Sequence, residues 1–322
     1  MYYLLAFSVI LFFREARELN AMTQRPVLVA RIAGGLGNQM FIYAAARRLA
    51  HVSGAELALD TKNGFSRDGY GRFYQLDWFS LNARTARSSE CLQPFNRMRR
   101  KLSTRLYKEK AFSDSPFIKQ KGVIYAPELL RTRVTRNTYF EGYWQGEGYF
   151  ADIADIIQDD FTFAKPMGRA NENISRRIKE NESVAVHVRF FSEPGAERSD
   201  NSTIGYYTKA RAEIEKRIDN PHYFIFSDRP QAALEMLKLP PDRLTLVDQN
   251  ATDEMAPCDM WLMTQCRHFI IANSTFSWWG AWLSKNDSKV VCAPAVGPSP
   301  FRKHDSWGFK ELLPNSWLQI ET

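Results

Sequence analysis

The chain is poor in the residues that build metal and disulfide sites. It has five histidines and four cysteines in 322 residues. The cysteines stand at 91, 258, 266 and 292, and no two form a Cys-x-x-Cys pair. That leaves out zinc ribbons and thioredoxin-type redox motifs. Thiols so spaced fit a reducing compartment better than secretion. Neither His-Glu-x-x-His nor Asp-x-Asp occurs, so no ready cradle exists for a metal on a substrate phosphate, and no metal is expected. Long apolar runs are missing too. MYYLLAFSVILFF at the amino terminus is apolar for about a dozen residues, short of the roughly 20 that a membrane span needs. Its charge, Arg14, follows the apolar run, whereas a signal peptide carries charge before it.

What is present is an ordinary globular composition, 44% apolar and 25% charged, over a length that supports two domains with their own cores. The net charge of +7 is concentrated. Residues 84–121 hold eleven Lys and Arg against three Asp and Glu, so this segment alone carries +8. It includes NRMRRKLSTRLYKEK, residues 96–110. Such a run reads either as a solvated helix face or as a contact for an anionic membrane surface or a lipid-linked pyrophosphate, at about 1 kcal/mol per basic residue near such a surface. Nucleic acid is not an expected partner: no nucleic-acid module motif occurs, and the aromatics do not interleave with the charges. Residues 1–21 are expected to lie outside the fold, as a weak membrane foot or an upstream start. Met22 opens MTQRPVLVARI directly before the first expected strand.

Hydrophobic patterning predicts a strand over 26–32, a helix from Met40 to about Gly54 and a strand over 56–60, a parallel opening unit. Residues 61–135 show weak periodicity. TYFEGYWQGEGYF, residues 138–150, reads as a strand and loop whose aromatics serve either the core or a sugar-stacking surface. Helices are expected over 152–163 and 169–182. From 183 onward, strands over 183–190, 222–228, 243–248, 268–274 and 289–294 alternate with helices. The expected fold class is α/β: two Rossmann-like lobes facing across a cleft, 22–165 and 183–300. Residues 166–182 would cross between them, and a tail at 301–322 would pack back.

In open parallel sheets, ligands sit beyond the carboxyl ends of the strands, and the notable polar residues follow strands. RIAGGLGNQM, residues 31–40, places three glycines between strand and helix. Gly35-Leu36-Gly37 begins a dinucleotide fingerprint, but Met40 stands at the third glycine's place. With Asp60 at the next strand's end as a ribose acid, a dinucleotide enzyme stays open as a minor alternative. The glycines let backbone N–H groups approach an anion at a helix start, and Asn38 and Gln39 add amides suited to hydroxyls. His187 and Arg189 share one face of a strand end. Arg189 is placed to clamp a phosphate or to pair with a carboxylate; His187 is placed to meet ligand or to sit in the core. Asp228, after Ser227, offers a carboxylate to a guanine edge or a ribose, or caps the next helix. Asn273, Ser274 and Thr275 make a second helix-start anion site. Trp278, Trp279 and Trp282 cluster behind it, with core packing expected for at least two.

These parts have a family likeness. GGLGNQMFIYAAARRLA, YFIFSD and above all DEMAPCDMWLMTQCRHFIIANSTFSWWGAWLS, residues 253–284, closely resemble the α-1,2-fucosyltransferases, over about residues 27–295. The resemblance implies a GT-B fold and GDP-β-L-fucose as donor, bound through His187, Arg189, Asp228, Asn273, Ser274, Thr275 and Phe276. It implies no cofactor and inverting transfer to the 2-hydroxyl of a galactose-terminated oligosaccharide, lipid-linked acceptors included. Arg189 inherits the donor β-phosphate. Asn38 and Glu193 are further catalytic candidates, with Asp200 as another candidate base. Gly35, Gly37, Asn38 and Gln39 would line the acceptor and fucose side. The expected place is cytoplasmic, peripheral on the inner face of the cytoplasmic membrane. One departure stands out. The family carries H-x-R-R-x-D where this chain reads HVRFFS, residues 187–192, so Phe190 replaces the second arginine and Ser192 the aspartate. Phe190 should face away from Arg189 on the strand.

Overall fold

A computed structural model describes residues 25–93, 95–122, 124–191, 201–295 and 310–321. The extension at 1–21 lies outside them. In chain order the elements are β1 (Val27–Arg31), α1 (Leu36–Ser53), β2 (Glu56–Asp60), β3 (Arg84–Thr85), α2 (Asn96–Leu106), β4 (Phe117–Lys119), α3 (Glu128–Arg131), β5 (Thr138–Glu141) and α4 (Ala154–Asp160). Then follow α5 (Arg169–Lys179), β6 (Ser183–Val188), α6 (Ile204–Glu215), β7 (His222–Ser227), α7 (Pro230–Leu237) and β8 (Leu244–Val247). The last are α8 (Ala256–Gln265), β9 (His268–Ile270), α9 (Thr275–Trp282), β10 (Val291–Pro294) and β11 (Leu318–Ile320). One sheet has the order β3-β2-β1-β5-β4 and the other β11-β10-β9-β6-β7-β8. Every pairing within them is parallel. Parallel strands are covered by helices on both faces, which is why β1 and β6 read as unbroken apolar runs.

Three local differences from the sequence expectation have physical causes. The first helix begins at Leu36, four residues before Met40. Gly34 turns the chain at φ 75°, Gly35 caps the helix in an extended conformation, and Gly37, Asn38 and Gln39 already belong to its first turn. The strand expected over 268–274 stops at Ile270, although the buried chain runs on to Asn273. The unreadable stretch at 61–135 holds a two-residue β3, a three-residue β4 and a helix, α2, with no buried residue.

Helix α5 is tied to α8 by buried amides. Asn171 donates to Asn250 Oδ1 at 3.1 Å, and Asn250 donates to Asp259 Oδ1 at 2.7 Å. Burial pushes the Asp259 carboxyl up to about 7.

The hydrophobic core does not stop between the two sheets. Phe41 of α1 meets Trp278 and Trp279 of α9 at 4.6 and 4.9 Å between ring centroids, and Phe150 stacks on Trp279 at 5.4 Å. Trp278, Trp279 and Trp282 are all buried. A buried indole wants a partner for its N–H. These donate to Leu312 O, Gly37 O and Glu147 Oε1 at 2.9, 3.0 and 2.8 Å. Two of the three partners, Gly37 and Glu147, lie in the first half of the chain.

Such closeness needs a residue without a side chain. A Cβ on Gly37 would stand 2.4 Å from the Thr275 carbonyl carbon and 2.6 Å from the Phe276 nitrogen, both backbone atoms that cannot swing aside. Gly37→Ala should therefore cost about 1–3 kcal/mol, as overpacking does, seen as a lower urea midpoint. Gly69→Ala, where a Cβ meets open space, is the control that should leave the midpoint in place.

Candidate active site

The parallel register brings the site residues together at the carboxyl edge of the second sheet. Val188 of β6 pairs with Ser227 of β7, so the next residues, Arg189 and Asp228, emerge side by side. Arg189 Nη1 lies 3.0 Å from Asp228 Oδ2. Asp228 Oδ1 accepts the Phe190 backbone N–H at 3.1 Å. The carboxylate thus holds the guanidinium while both side chains keep part of their surface accessible. The Arg189 guanidinium also lies 5.8 Å from the exposed Phe191 ring and keeps 30% of its side chain accessible.

His187 is 5% exposed, and its ring packs against Phe276 at 5.5 Å. Its Nδ1 is buried without a hydrogen-bond partner. Desolvation, then the Arg189 charge, hold its pKa down to about 3, so the ring is neutral near pH 7. Phe190 faces the opposite way, into the core with Val188 and Tyr207. Glu193, Asp200 and Ser192 lie outside the described residues.

Helix α9 opens on the same edge. Ser274 is its N-cap, the side chain accepting Phe276 N–H at 3.3 Å. Asn273 Oδ1 accepts from Ser202 Oγ at 3.3 Å. Thr275 and Phe276 are half-buried and abut Gly37 of α1. The two helix starts therefore touch, and contacts run from Gly37 through Phe276 to His187 and on along β6 to Arg189.

On the α1 side the expected residues divide. Asn38 is half-buried, and its Oδ1 accepts from Gln145 Nε2 at 2.8 Å. Gln39 is not presented to a ligand. It is fully buried, donating to Gly34 O and Phe73 O at 2.9 and 2.8 Å and accepting Gln75 N–H at 3.0 Å. All the polar atoms of its amide are used in holding the turn, so its expected place on the acceptor side is corrected to a structural one. Gly37 likewise serves helix–helix contact. Gly35 lies under the Arg72 guanidinium, 2.5 Å from where a Cβ would be. Asp60 is not a ribose acid: it is 1% exposed and accepts from Tyr139 Oη at 2.6 Å and from Asn63 Nδ2 at 2.6 Å. That removes the structural basis of the dinucleotide alternative.

Two neighbours, Arg72 and Gln145, were not singled out from the sequence, while Tyr143 is one of the aromatics for which a sugar-stacking surface was one expectation. Tyr143 closes on Gly34 and stays 38% exposed, while Trp144, Tyr149 and Phe150 of the same aromatic run are fully buried. Gln145 Oε1 is buried without a partner. The only cue in the sequence was the polar and glycine spacing within that run. Among the described residues, no group of three His, Cys, Asp or Glu is arranged to hold a metal. A larger depression of about 1350 Å³, lined by Arg25, Arg47, Arg84 and Arg136, lies at the amino ends of β1 and β2, away from the strand ends where parallel sheets bind ligands.

Comparison with known proteins identifies the family and the fold. Residues 27–319 match the model for glycosyl transferase family 11. The chain is 29% identical over 306 residues to an Escherichia coli protein named alpha-1,2-colitosyltransferase, covering 92% of this chain and 99% of that one. It is 29% identical over 322 residues to the E. coli O-antigen biosynthesis glycosyltransferase WbnK, covering 90% and 99%. Among solved structures, a mutant of Arabidopsis thaliana FUT1 in complex with GDP superposes with a TM-score of 0.54 at 11% identity, over 94% of this chain and 80% of that one. The fold is accordingly GT-B, two Rossmann-like lobes. With the family model spanning nearly all of its length, the chain belongs to glycosyl transferase family 11, the α-1,2-fucosyltransferase family, and is a glycosyltransferase.

Proposed function

We propose that this glycosyltransferase moves L-fucose from GDP-β-L-fucose to the 2-hydroxyl of a terminal galactose, with inversion and without a protein-held metal. The observation that carries the proposal is Arg189, a part-exposed guanidinium fixed by Asp228 at a strand's carboxyl end, on the sheet edge where α9 also opens. When the bond from fucose C1 to the β-phosphate oxygen breaks, its electron pair goes to GDP. A fixed guanidinium and the helix start neutralise that charge without reorganising. The acceptor oxygen bonds to C1 from the opposite face, and its proton departs late, so the base can be weak. On the α1 side, the half-buried Asn38 amide is the group available to sugar hydroxyls, and the buried Gln145 holds it in place through its Nε2 bond to Asn38 Oδ1.

A second reading has its own support. One relative is named for colitose transfer, and colitose is L-fucose lacking the 3-hydroxyl. The chain also lacks the second Arg and the Asp of the family pattern after Arg189. Relative kcat/KM for GDP-fucose and GDP-colitose on one galactoside panel decides between them: a large preference for GDP-colitose overturns the fucosyl reading.

Arg189→Ala should lower kcat by at least about 10²-fold, the scale of losing one charge-stabilising donor; unchanged turnover removes the central role given to it. Activity should persist in EDTA, and a strict Mn²⁺ requirement contradicts the metal-free scheme. Gln145→Ala should raise the acceptor KM by about tenfold, one hydrogen bond's worth.

His187 sets a pH dependence of stability. The unfolded chain takes up this proton below its ordinary pKa of about 6.5, and the folded chain only near pH 3. The unfolded state thus binds more protons in that window, and stability falls as pH drops through it, by up to about 1.4 kcal/mol per pH unit. His187→Gln should flatten that part of the stability–pH curve, measured by urea unfolding at several pH values.

A further inference from the structure

Helix α2 is turned inside out for a surface helix. Such helices normally bury an apolar stripe and expose a polar one. Here the face on the protein is polar. Arg100 makes a two-pronged ion pair with Glu141 at 2.7 Å for each bond, and Asn96 donates to Asn63. Ser103, Thr104 and Tyr107 complete this inner face, all half-buried. The outer face carries Phe95, Met98, Leu102 and Leu106, which are 71, 65, 54 and 60% exposed. At 3.6 residues per turn these four fall within an arc of about 80°. Arg99 borders the arc on one side; Arg105, Lys101 and Arg97 border it on the other. All four are exposed, and none is in an ion pair among the described residues.

We propose that α2 is an interfacial helix that seats the protein on an anionic membrane, with the four apolar side chains inserted and the basic residues at the headgroups. Charge complementarity selects this occupant. An apolar arc bordered along the helix by cations, with exposed Glu109 beyond its end paired to Lys108, suits anionic lipid, where long basic side chains snorkel to phosphate. A second copy of the chain would bring the same cations against one another. The ion pair with Glu141 matters because it fixes the helix with this face outward.

The location has a functional consequence that rests on the transferase reading above. Glu141 ends β5 and Asn63 lies just beyond β2, so α2 sits at the carboxyl edge of the first sheet, the edge that carries Gly34, Asn38 and Tyr143. Docking there places the acceptor wall near the lipid surface, where a lipid-carried glycan would arrive.

The test uses the full chain and vesicles, and does not depend on activity. Sedimentation with phosphatidylglycerol-containing vesicles should show binding that pure phosphatidylcholine does not support and that weakens as salt rises. Met98→Glu with Leu102→Glu should lower the partition coefficient at least tenfold, and Lys101→Glu with Arg105→Glu should remove the salt dependence. Both pairs are exposed, so the thermal midpoint should hold. An environment-sensitive fluorophore on Met98→Cys should shift to the blue on anionic vesicles, and one on Glu180→Cys, at the end of α5, should not. Binding that survives the Met98 and Leu102 changes overturns the proposal, as does equal binding to neutral vesicles. A Met98 label already blue-shifted in buffer also overturns it, placing residues 1–21 or a second copy over the face. So does a dimer that the same substitutions dissolve.

Discussion

The molecule depends on one close approach. The first turns of α1 and α9 touch at Gly37, where nothing larger than hydrogen fits against the Thr275 carbonyl. The Trp279 indole donates to the Gly37 carbonyl. Behind this point the rings of Phe41, Phe150, Trp278 and Trp279 make one continuous core between two sheets that are otherwise separate. In front of it, the same two turns carry Asn38 on one side and Ser274, Thr275 and Phe276 on the other, with His187 of β6 buried against Phe276. A backbone contact that cannot slide thus fixes the spacing between Asn38 and the start of α9. The glycine that resembled part of a phosphate-binding fingerprint is needed for packing between helices.

The regular parts of the fold were legible because parallel strands buried on both faces must be apolar throughout, and β1, β6 and β7 have no other way to read. The first helix start was misplaced because the glycine turn is shorter than it looks: one residue with positive φ suffices, and the remaining glycine is helical. Residues 61–135 resisted for a different reason. Two of their strands span two and three residues, too few for any period to register, and α2 presents its apolar face outward, so its pattern says nothing about where the core lies. At the site, adjacent Asn38 and Gln39 looked equivalent. Successive helical residues point about 100° apart, and only the structure shows which amide is consumed by the turn. Gln145 could not be found because its relation to Asn38 spans 107 residues.

The pair of Arg189 and Asp228 gives meaning to the departure at HVRFFS. An arginine alone at a strand end can adopt many rotamers; one bonded to a carboxylate on the neighbouring strand is pre-organised. Phe190 occupies a position that faces the hydrophobic cluster beneath β6. A charged residue there would need its own route out of the core, which Phe190 does not.

A core shared by both halves also constrains how this chain can be divided. Half of the chain expressed alone, ending anywhere near residues 166–182, would leave either Phe41 and Phe150 or Trp278 and Trp279 without their partners, uncovering a broad aromatic surface. Neither half is built as an exchangeable module, and recombination between relatives at the crossover would have to preserve both sides of one aromatic cluster. The two sheets meet at a seam, but heat or urea should meet a single cooperative body there.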